Sequence, residues 1–424
     1  MVIGDESIRY DTNQSRHQEP LPKEADQTTM SIKLSSRVQA VKPSPTLAIT
    51  ARAAELRAAG KDVIGLGAGE PDFDTPEHIK DAARKAIADG KTKYTPVDGT
   101  PGLKQAVIAK FQRDNGLDYK PEQILVSCGG KQSFYNMAQA ILDPGDEVII
   151  PAPYWVSYPD MSILSGGVPV LVHAGADQRF KITPAQLRGA LTENTRLVVI
   201  NSPSNPTGMA YTTDELAALG EVLREYPKVV IATDDMYEHI RWNLDQPFVN
   251  IINACPDLAN RTLVLNGVSK AYSMTGWRIG YAGGPAEVIK AMKKIQSQST
   301  SNPTSISQYA AEAALNGPQD CIGEMLVQFK KRHDYVVERL NRMDGIECLP
   351  TDGTFYVFPS VKGMIDAIDG VHDDLQLAEH LIVNAGVALV PGTAFGLSGH
   401  VRLSIATSMQ NLEKALDRIE RAIG

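Results

Sequence analysis

Several short apolar runs in this sequence end in side chains that can do chemistry. Lys270 follows TLVLNG (262–267), and Arg278 stands eight residues further on, in VSKAYSMTGWRIGY. A lysine at the mouth of a strand, shielded from bulk water, is lowered in pKa toward the free amine that a Schiff base needs. A lone lysine is more often a solvated charge, but Arg278 adds a planar fork suited to a phosphate. Asp234 follows KVVIAT (228–233) and begins Asp-Asp-Met-Tyr. An acid there can keep a ring nitrogen protonated or simply cap the next helix. Tyr237, three residues on, shares its helical face.

Three further segments carry polar groups at strand ends. Gly129-Gly130-Lys131 follows QILVSC (123–128), and its glycines let backbone N–H groups approach a phosphate or merely make a tight turn. Asn205, in SPSNPTG (202–208), offers an amide to a ligand, although the same residues build ordinary turns. Arg402 lies inside the apolar run VRLSIA, where a guanidinium needs either a ligand carboxylate or a structural salt bridge.

The elements that must position these groups alternate. QILVSC, EVII (147–150), RLVVI (196–200), KVVIAT, TLVLNG and IGYAGG (279–284) read as buried strands, with helical patterns such as Thr212–Tyr226 between several of them. Thr-Pro openings at Thr75, Thr100 and Thr183 predict helix N-caps, and Gly90 suits the stop of the first helix. The pattern predicts an α/β fold with a mostly parallel central sheet covered by helices, whose ligands sit beyond the strands' carboxyl ends. From about residue 315 a long polar-faced helix, the short strands FYVF, VALV and VRLSIA, and a closing helix predict a smaller α+β domain. The expected division is a flexible leader (1–29), an N-terminal part of the small domain (30–73), a large domain (74–314) and a C-terminal small domain (315–424).

Bulk properties exclude other classes. The chain has 424 residues, 22% of them charged, and a net charge of −8 without a basic stripe, which argues against a nucleic-acid partner. No run approaches the ~20 apolar residues of a membrane helix, and the polar leader has no apolar signal core. Four scattered cysteines (Cys128, Cys255, Cys321 and Cys348) have no metal-ligand spacing; they predict reduced thiols, a cytoplasmic location and no metal.

The segments GAGEPDF (67–73), KYTPVDGTPGLK (93–104), GGKQ (129–132), PYW (153–155), NPTG (205–208), DDMY (234–237), SKAYSMTGWRIG (269–280) and VRLS (401–404), in this order, resemble the class I aminotransferases of the fold-type I superfamily that depends on pyridoxal 5′-phosphate (PLP). The resemblance covers nearly the whole chain from residue 35 and implies amino-acid and 2-oxo-acid substrates. It implies that Lys270 holds the cofactor as a Schiff base and moves the substrate proton. Asp234 would pair with the pyridine nitrogen, Asn205 and Tyr237 with the ring hydroxyl oxygen, and Trp155 would stack on the ring. Gly129, Gly130, Ser269 and Arg278 would bind the phosphate. Tyr94 would reach the phosphate from a partner subunit, implying a homodimer with shared sites. Arg402 would grip the substrate α-carboxylate, helped by Gly69, Asn205 and Trp155. The chain departs from the usual Asp-Glu-x-Tyr motif in having Asp235, which keeps the charge.

Within that family the sequence is most similar to bacterial aspartate aminotransferases whose motifs read KPS-x-T and GGKQ. Lys131, with Ser44 and Thr46, matches positions implied to recognise the distal carboxylate. Lys131 can alternatively serve the phosphate or point to solvent. The implied reaction is ping-pong exchange of an amino group between L-aspartate and 2-oxoglutarate through pyridoxamine phosphate. Lys42 lies at a position tied to prephenate, so a bifunctional aspartate/prephenate enzyme is the first alternative. A β-lyase or an aminocyclopropane-carboxylate synthase shares the core motifs, and a PLP-binding regulator is the remaining reading. The segment before Met30 is too short and too polar for a DNA-binding module.

Overall fold

A computed structural model of the chain describes residues 32–43 and 45–423. The leader and Ser44 lie outside these residues, and the side chain of Thr46 is likewise not described. The central sheet has seven strands: β1 (Ile124–Ser127), β2 (Glu147–Ala152), β3 (Val168–His173), β4 (Thr195–Asn201), β5 (Val230–Asp234), β6 (Thr262–Gly267) and β7 (Gly280–Gly283). Their order across the sheet is β1-β7-β6-β5-β4-β2-β3. The pairings β3/β2, β2/β4, β4/β5 and β5/β6 are parallel, whereas β7 runs antiparallel to both neighbours. The expected mostly parallel α/β sheet is therefore present.

Successive side chains on a strand face opposite sides of the sheet, and both sides here are covered. Val230, Ala232, Leu263 and Leu265 pack with Phe134, Met137 and Tyr158 on one face. Ile231, Val264, Val198 and Ile149 pack with Phe111 and Tyr281 on the other. Each buried Val, Leu, Ile, Phe or Met among them contributes roughly 1.5–3 kcal/mol. The same alternation sends Asp234 to the first face and Asp235 to the second, so neighbouring acids meet different surroundings.

Strand β3 is not among the sequence-derived strands. It forms the sheet edge, carries Pro169 and leaves Val168 48% and Leu171 38% exposed, so no apolar alternation marks it.

Of the three predicted Thr-Pro caps two form, and Thr212 caps a further helix. Thr100 Oγ1 accepts from Leu103 N–H, and Thr183 and Thr212 form reciprocal capping boxes with Gln186 and Glu215. Thr75 is the correction. Its helix runs Glu77–Ala88 with Pro76 at the cap and no side-chain cap bond. The Thr75 hydroxyl instead donates to Ser273 O at 2.7 Å and accepts from Trp277 Nε1 at 2.9 Å. It is thus tied to the segment that carries Lys270.

Two segments far apart in the chain meet. Ile64 pairs with Val387 in a parallel two-residue ladder, and Ser404 N–H donates to Leu66 O at 2.7 Å. Val401–Ser404 lies between Val390–Pro391 and Tyr356–Val357 in a small antiparallel sheet. The helix Asp320–Leu340 covers it through Ile322, Met325, Phe329 and Val336, at helical spacing. This pairing brings residues 64–70 and 402 to the mouth of the large sheet.

Candidate active site

A cavity of about 610 Å³ opens beyond the carboxyl ends of β5 and β6. That volume suits a small organic ligand. Eleven of the sequence-derived residues line it: Gly69, Gly130, Lys131, Trp155, Asn205, Asp234, Tyr237, Ser269, Lys270, Arg278 and Arg402.

The Lys270 amine donates to Gly69 O and is lowered to about 8, first by burial and next by the charge of Arg402. Glu70 and Asp234 oppose that shift. Asp234 faces Lys270 from the end of β5. Its Oδ2 accepts from Tyr158 Oη at 2.5 Å, and its Oδ1 accepts from Met236 N–H at 3.2 Å. Burial pushes this carboxyl up, while the two donors and the Lys270 charge pull it back. Asn201 holds the same strand end from its backbone side, Nδ2 donating to Asp234 O at 2.9 Å.

At the other wall, Gly129 adopts φ +88° before the helix Gly130–Ile141. A Cβ there would fall 2.3 Å from Arg278 Nη2. A Cβ on Gly280 would fall 2.3 Å from Gly130 N, so two bare backbones and a guanidinium frame one recess. Arg278 is held by Thr275 O at 2.8 Å and Cys128 O at 3.3 Å. Ser269 is buried beside it. A helix start plus a guanidinium is an anion site.

Arg402 enters from the small sheet. Its Nη1 donates to Asn205 Oδ1 at 2.9 Å and its Nη2 to Gly67 O at 2.8 Å, with the guanidinium 4.3 Å over the Tyr356 ring. Its Nε is buried and has no hydrogen-bond partner. Such a donor is costly unless a ligand satisfies it. Among the described residues Arg402 forms no salt bridge, and its protein partners are Asn205 and Gly67.

Trp155 meets Tyr158 edge to face at 5.1 Å, and Lys131 Nζ stands 5.2 Å over the Trp155 ring. Burial and then Arg278 push the Lys131 ammonium down, while Asp160 opposes. Lys42 lies at the same end of the cavity.

Among the described residues, two predicted ones do not line it. Gly129 presents only backbone, behind Arg278, and Tyr94 is 92% exposed and absent from the lining. Asp235 also departs from expectation. It is buried on the opposite face, accepts from Thr233 Oγ1 and Asn250 Nδ2, and is pushed up to about 7 by burial and then by Glu238. Its charge is therefore only partly kept near neutrality.

Tyr158, Asn201, Tyr356 and Glu70 were missed. Tyr356 Oη lies 3.1 Å from Tyr237 Oη, and Glu70 Oε2 accepts from Thr275 Oγ1 at 2.8 Å. The first carried a readable signal, since it stands three residues after Trp155, where a turn joins Tyr158 N–H to Trp155 O.

The pattern of the family described as aminotransferase class I and II matches residues 61–419. Among curated relatives, the aspartate/prephenate aminotransferase of Nitrosomonas europaea is 59% identical over 393 residues, covering 92% of this chain and 99% of the relative. The aspartate aminotransferase of Geobacillus stearothermophilus is 52% identical over 390 residues, covering 92% of this chain and 98% of that protein. The solved aspartate aminotransferase of Rhizobium meliloti superposes with a TM-score of 0.90 at 50% identity, covering 93% of this chain and 99% of that one. That of Thermus thermophilus, solved with maleate, superposes at 0.87 with 45% identity, covering 92% and 100%.

Proposed function

The chain belongs to the aminotransferase class I and II family, and on that premise we propose that it transfers an amino group between L-aspartate and 2-oxoglutarate on pyridoxal 5′-phosphate, giving oxaloacetate and L-glutamate. The observation that carries this reading is the convergence of the Lys270 amine, the Asp234 carboxyl and the unpartnered Arg402 Nε on one cavity. The residues fit the cofactor. The recess between Gly129, Gly280 and Arg278 suits a phosphate, Asp234 offers a carboxylate to a ring nitrogen, and Lys270 at about 8 retains a usable fraction of free amine. Bound there, the cofactor supplies an electron sink for bond breaking at the substrate Cα.

The chain's own residues supply the rest. Lys270 would hold the cofactor covalently until the substrate amine takes its place, and its freed amine would carry the proton from the substrate Cα to the cofactor. Asp234 keeps the ring nitrogen protonated. Asn205 and Tyr237 would donate to the ring hydroxyl oxygen, and Trp155 would stack on the ring. Gly129 and Gly130 N–H, Ser269 and Arg278 hold the phosphate. Arg402 grips the α-carboxylate with Asn205 and Gly69 beside it. Lys131 meets the distal carboxylate, with Ser44 and Thr46 from the N-terminal segment. A lowered ammonium over an indole ring gains more from an incoming anion than a solvated lysine does. The Thermus thermophilus enzyme solved with maleate, a dicarboxylate, supports such a double anchor. Two half-reactions sharing one site give ping-pong kinetics.

Prephenate as a second amino acceptor is the other reading. Lys42 lines the distal end of the cavity, and the Nitrosomonas europaea relative carries both substrates in its name. Tyr94, exposed and not among the residues lining its own cavity, supports a homodimer in which it completes the partner's site. Four free thiols support a cytoplasmic setting, and no helix among the described residues is long and apolar enough to cross a membrane.

The test is spectroscopic. The PLP-loaded protein mixed with aspartate should lose its visible cofactor band and regain it on addition of 2-oxoglutarate. A band that aspartate leaves untouched would refute the reading. Aminated protein that regains the band with prephenate establishes the second acceptor.

A further inference from the structure

Behind the cavity lies a buried polar cluster that the proposed chemistry does not use. Glu238 is 3% exposed, and Lys110 is wholly enclosed. Glu238 Oε1 pairs with Lys110 Nζ and accepts from Asn266 Nδ2 at 2.7 Å. Its Oε2 accepts from Asn115 Nδ2 at 2.7 Å, and Lys110 donates to Asn115 Oδ1 at 2.7 Å. Asp114, Glu238 and His239 lie close enough together to suggest a cation site, but the Lys110 ammonium already fills that role. Removing one partner of a buried ion pair strands the other, so the cluster is rigid once formed.

Its position gives it a use. The backbone ladder between β5 and β6 ends where Asp235 N–H donates to Leu265 O at 2.9 Å. Beyond that point the two strands diverge into the segments that carry Asp234–Tyr237 and Ser269–Lys270. Glu238 directly follows Tyr237, and its N–H donates to Asp235 O at 3.0 Å. Asn266 is the penultimate residue of β6, and its Oδ1 accepts from Gly267 N–H at 2.7 Å. The Glu238–Asn266 bond thus continues the cross-strand link one residue past the ladder.

We infer that Glu238 is a positioning residue, which through Asn266 fixes the spacing between the Asp234–Tyr237 segment and the segment bearing Lys270. Lys110 and Asn115 hold Glu238 itself, on the side of the helix Pro101–Asn115. The inference rests on the proposed roles of Lys270 and Asp234. Catalytic groups displaced by even a fraction of an ångström lose rate without losing ligand.

Two matched variants separate positioning from stability. Asn266→Ser and Asn115→Ser each remove one amide donor from the same carboxylate at a buried site. Both should lower Tm. Asn266→Ser alone should lower kcat for aspartate about tenfold with KM changed less than about twofold. It should also move the pH midpoint of the bound cofactor's visible absorbance, a property of Lys270, whereas Asn115→Ser should not. Equal kcat and equal absorbance midpoints in the two variants would overturn the inference. Wild-type protein without aspartate turnover would instead refute the substrate reading, and the absorbance comparison would still decide the positioning. If Asn266→Ser does not fold, Asn266→Thr, which keeps an acceptor for Gly267 N–H, is read by the same two measurements.

Discussion

The phenol of Tyr158 donates to Oδ2 of Asp234 at 2.5 Å, on the cavity floor and enclosed by the Phe134–Met137 side of the sheet. It is one of two donors that hold this carboxyl down against burial. Tyr158→Phe removes it and lets the carboxyl rise, which weakens any ion pair with a ring nitrogen. A hydrogen bond to a charged group is worth about 1.5–3 kcal/mol, so PLP affinity of the apo-protein should fall about tenfold or more. Equilibrium titration of apo-protein measures this, and an unchanged Kd would detach Tyr158 from the charge of Asp234.

Lys270→Ala should still bind PLP, now without a covalent link, because the phosphate recess and Asp234 remain. Turnover should fall by several orders of magnitude, since of the three lysines that line the cavity among the described residues only Lys270 acts on Asp234. Size-exclusion recovery of the cofactor with and without borohydride treatment checks the first claim, and single-turnover spectra check the second. Normal turnover in this variant would remove Lys270 from its central role.

Arg402 and Lys131 should fail differently. Arg402→Lys loses the fork that engages Asn205, Gly67 and an incoming carboxylate together, so kcat/KM should fall about a hundredfold for every amino donor. Lys131→Ala should lower kcat/KM for aspartate and glutamate about tenfold or more and leave alanine unchanged. Steady-state assays with these three donors discriminate the two patterns. Equal losses for aspartate and alanine in Lys131→Ala would show that Lys131 does not read the distal group.

Asp235 gives a prediction about stability and pH. Its carboxyl is raised to about 7 in the folded protein, above the ordinary 3.8 that it regains on unfolding. The native state therefore binds this proton more tightly. The stability it lends is fully present below about pH 4, declines as pH climbs and is gone above about 7. Asp235→Asn is neutral throughout, so its Tm relative to wild type should rise between pH 5 and pH 8. A difference that stays flat over that range would mean the carboxyl does not titrate there.

Much of this site was legible because strands stop where chemistry starts. TLVLNG, KVVIAT and RLVVI end within a few residues of Lys270, Asp234 and Asn205, and a parallel sheet aligns those ends. What stayed hidden depends on pairing between distant segments. Tyr356 reads as one more aromatic in FYVF until Tyr237 is placed opposite its hydroxyl. Glu238 reads as surface charge until the helix holding Lys110 is laid against it. Thr75 has the sequence of a cap and becomes a tie to Ser273 only because the Lys270 loop passes beside it. Edge strand β3 is hidden for the opposite reason, since apolar Val168 and Leu171 lie exposed and its residue types do not sort by face.

Arg402 reaches back 335 residues to Gly67 and 197 to Asn205. A polypeptide emerging from a ribosome can close the large sheet as soon as β7 has appeared, yet it owns no grip for a substrate carboxylate at that stage. Arg402, the proposed carboxylate anchor, is synthesised after every other residue that lines the cavity, in the segment Val401–Ser404 that pairs with Tyr356–Val357 beside Leu66. A chain ending after β7 would therefore hold every strand of the large sheet and lack Arg402.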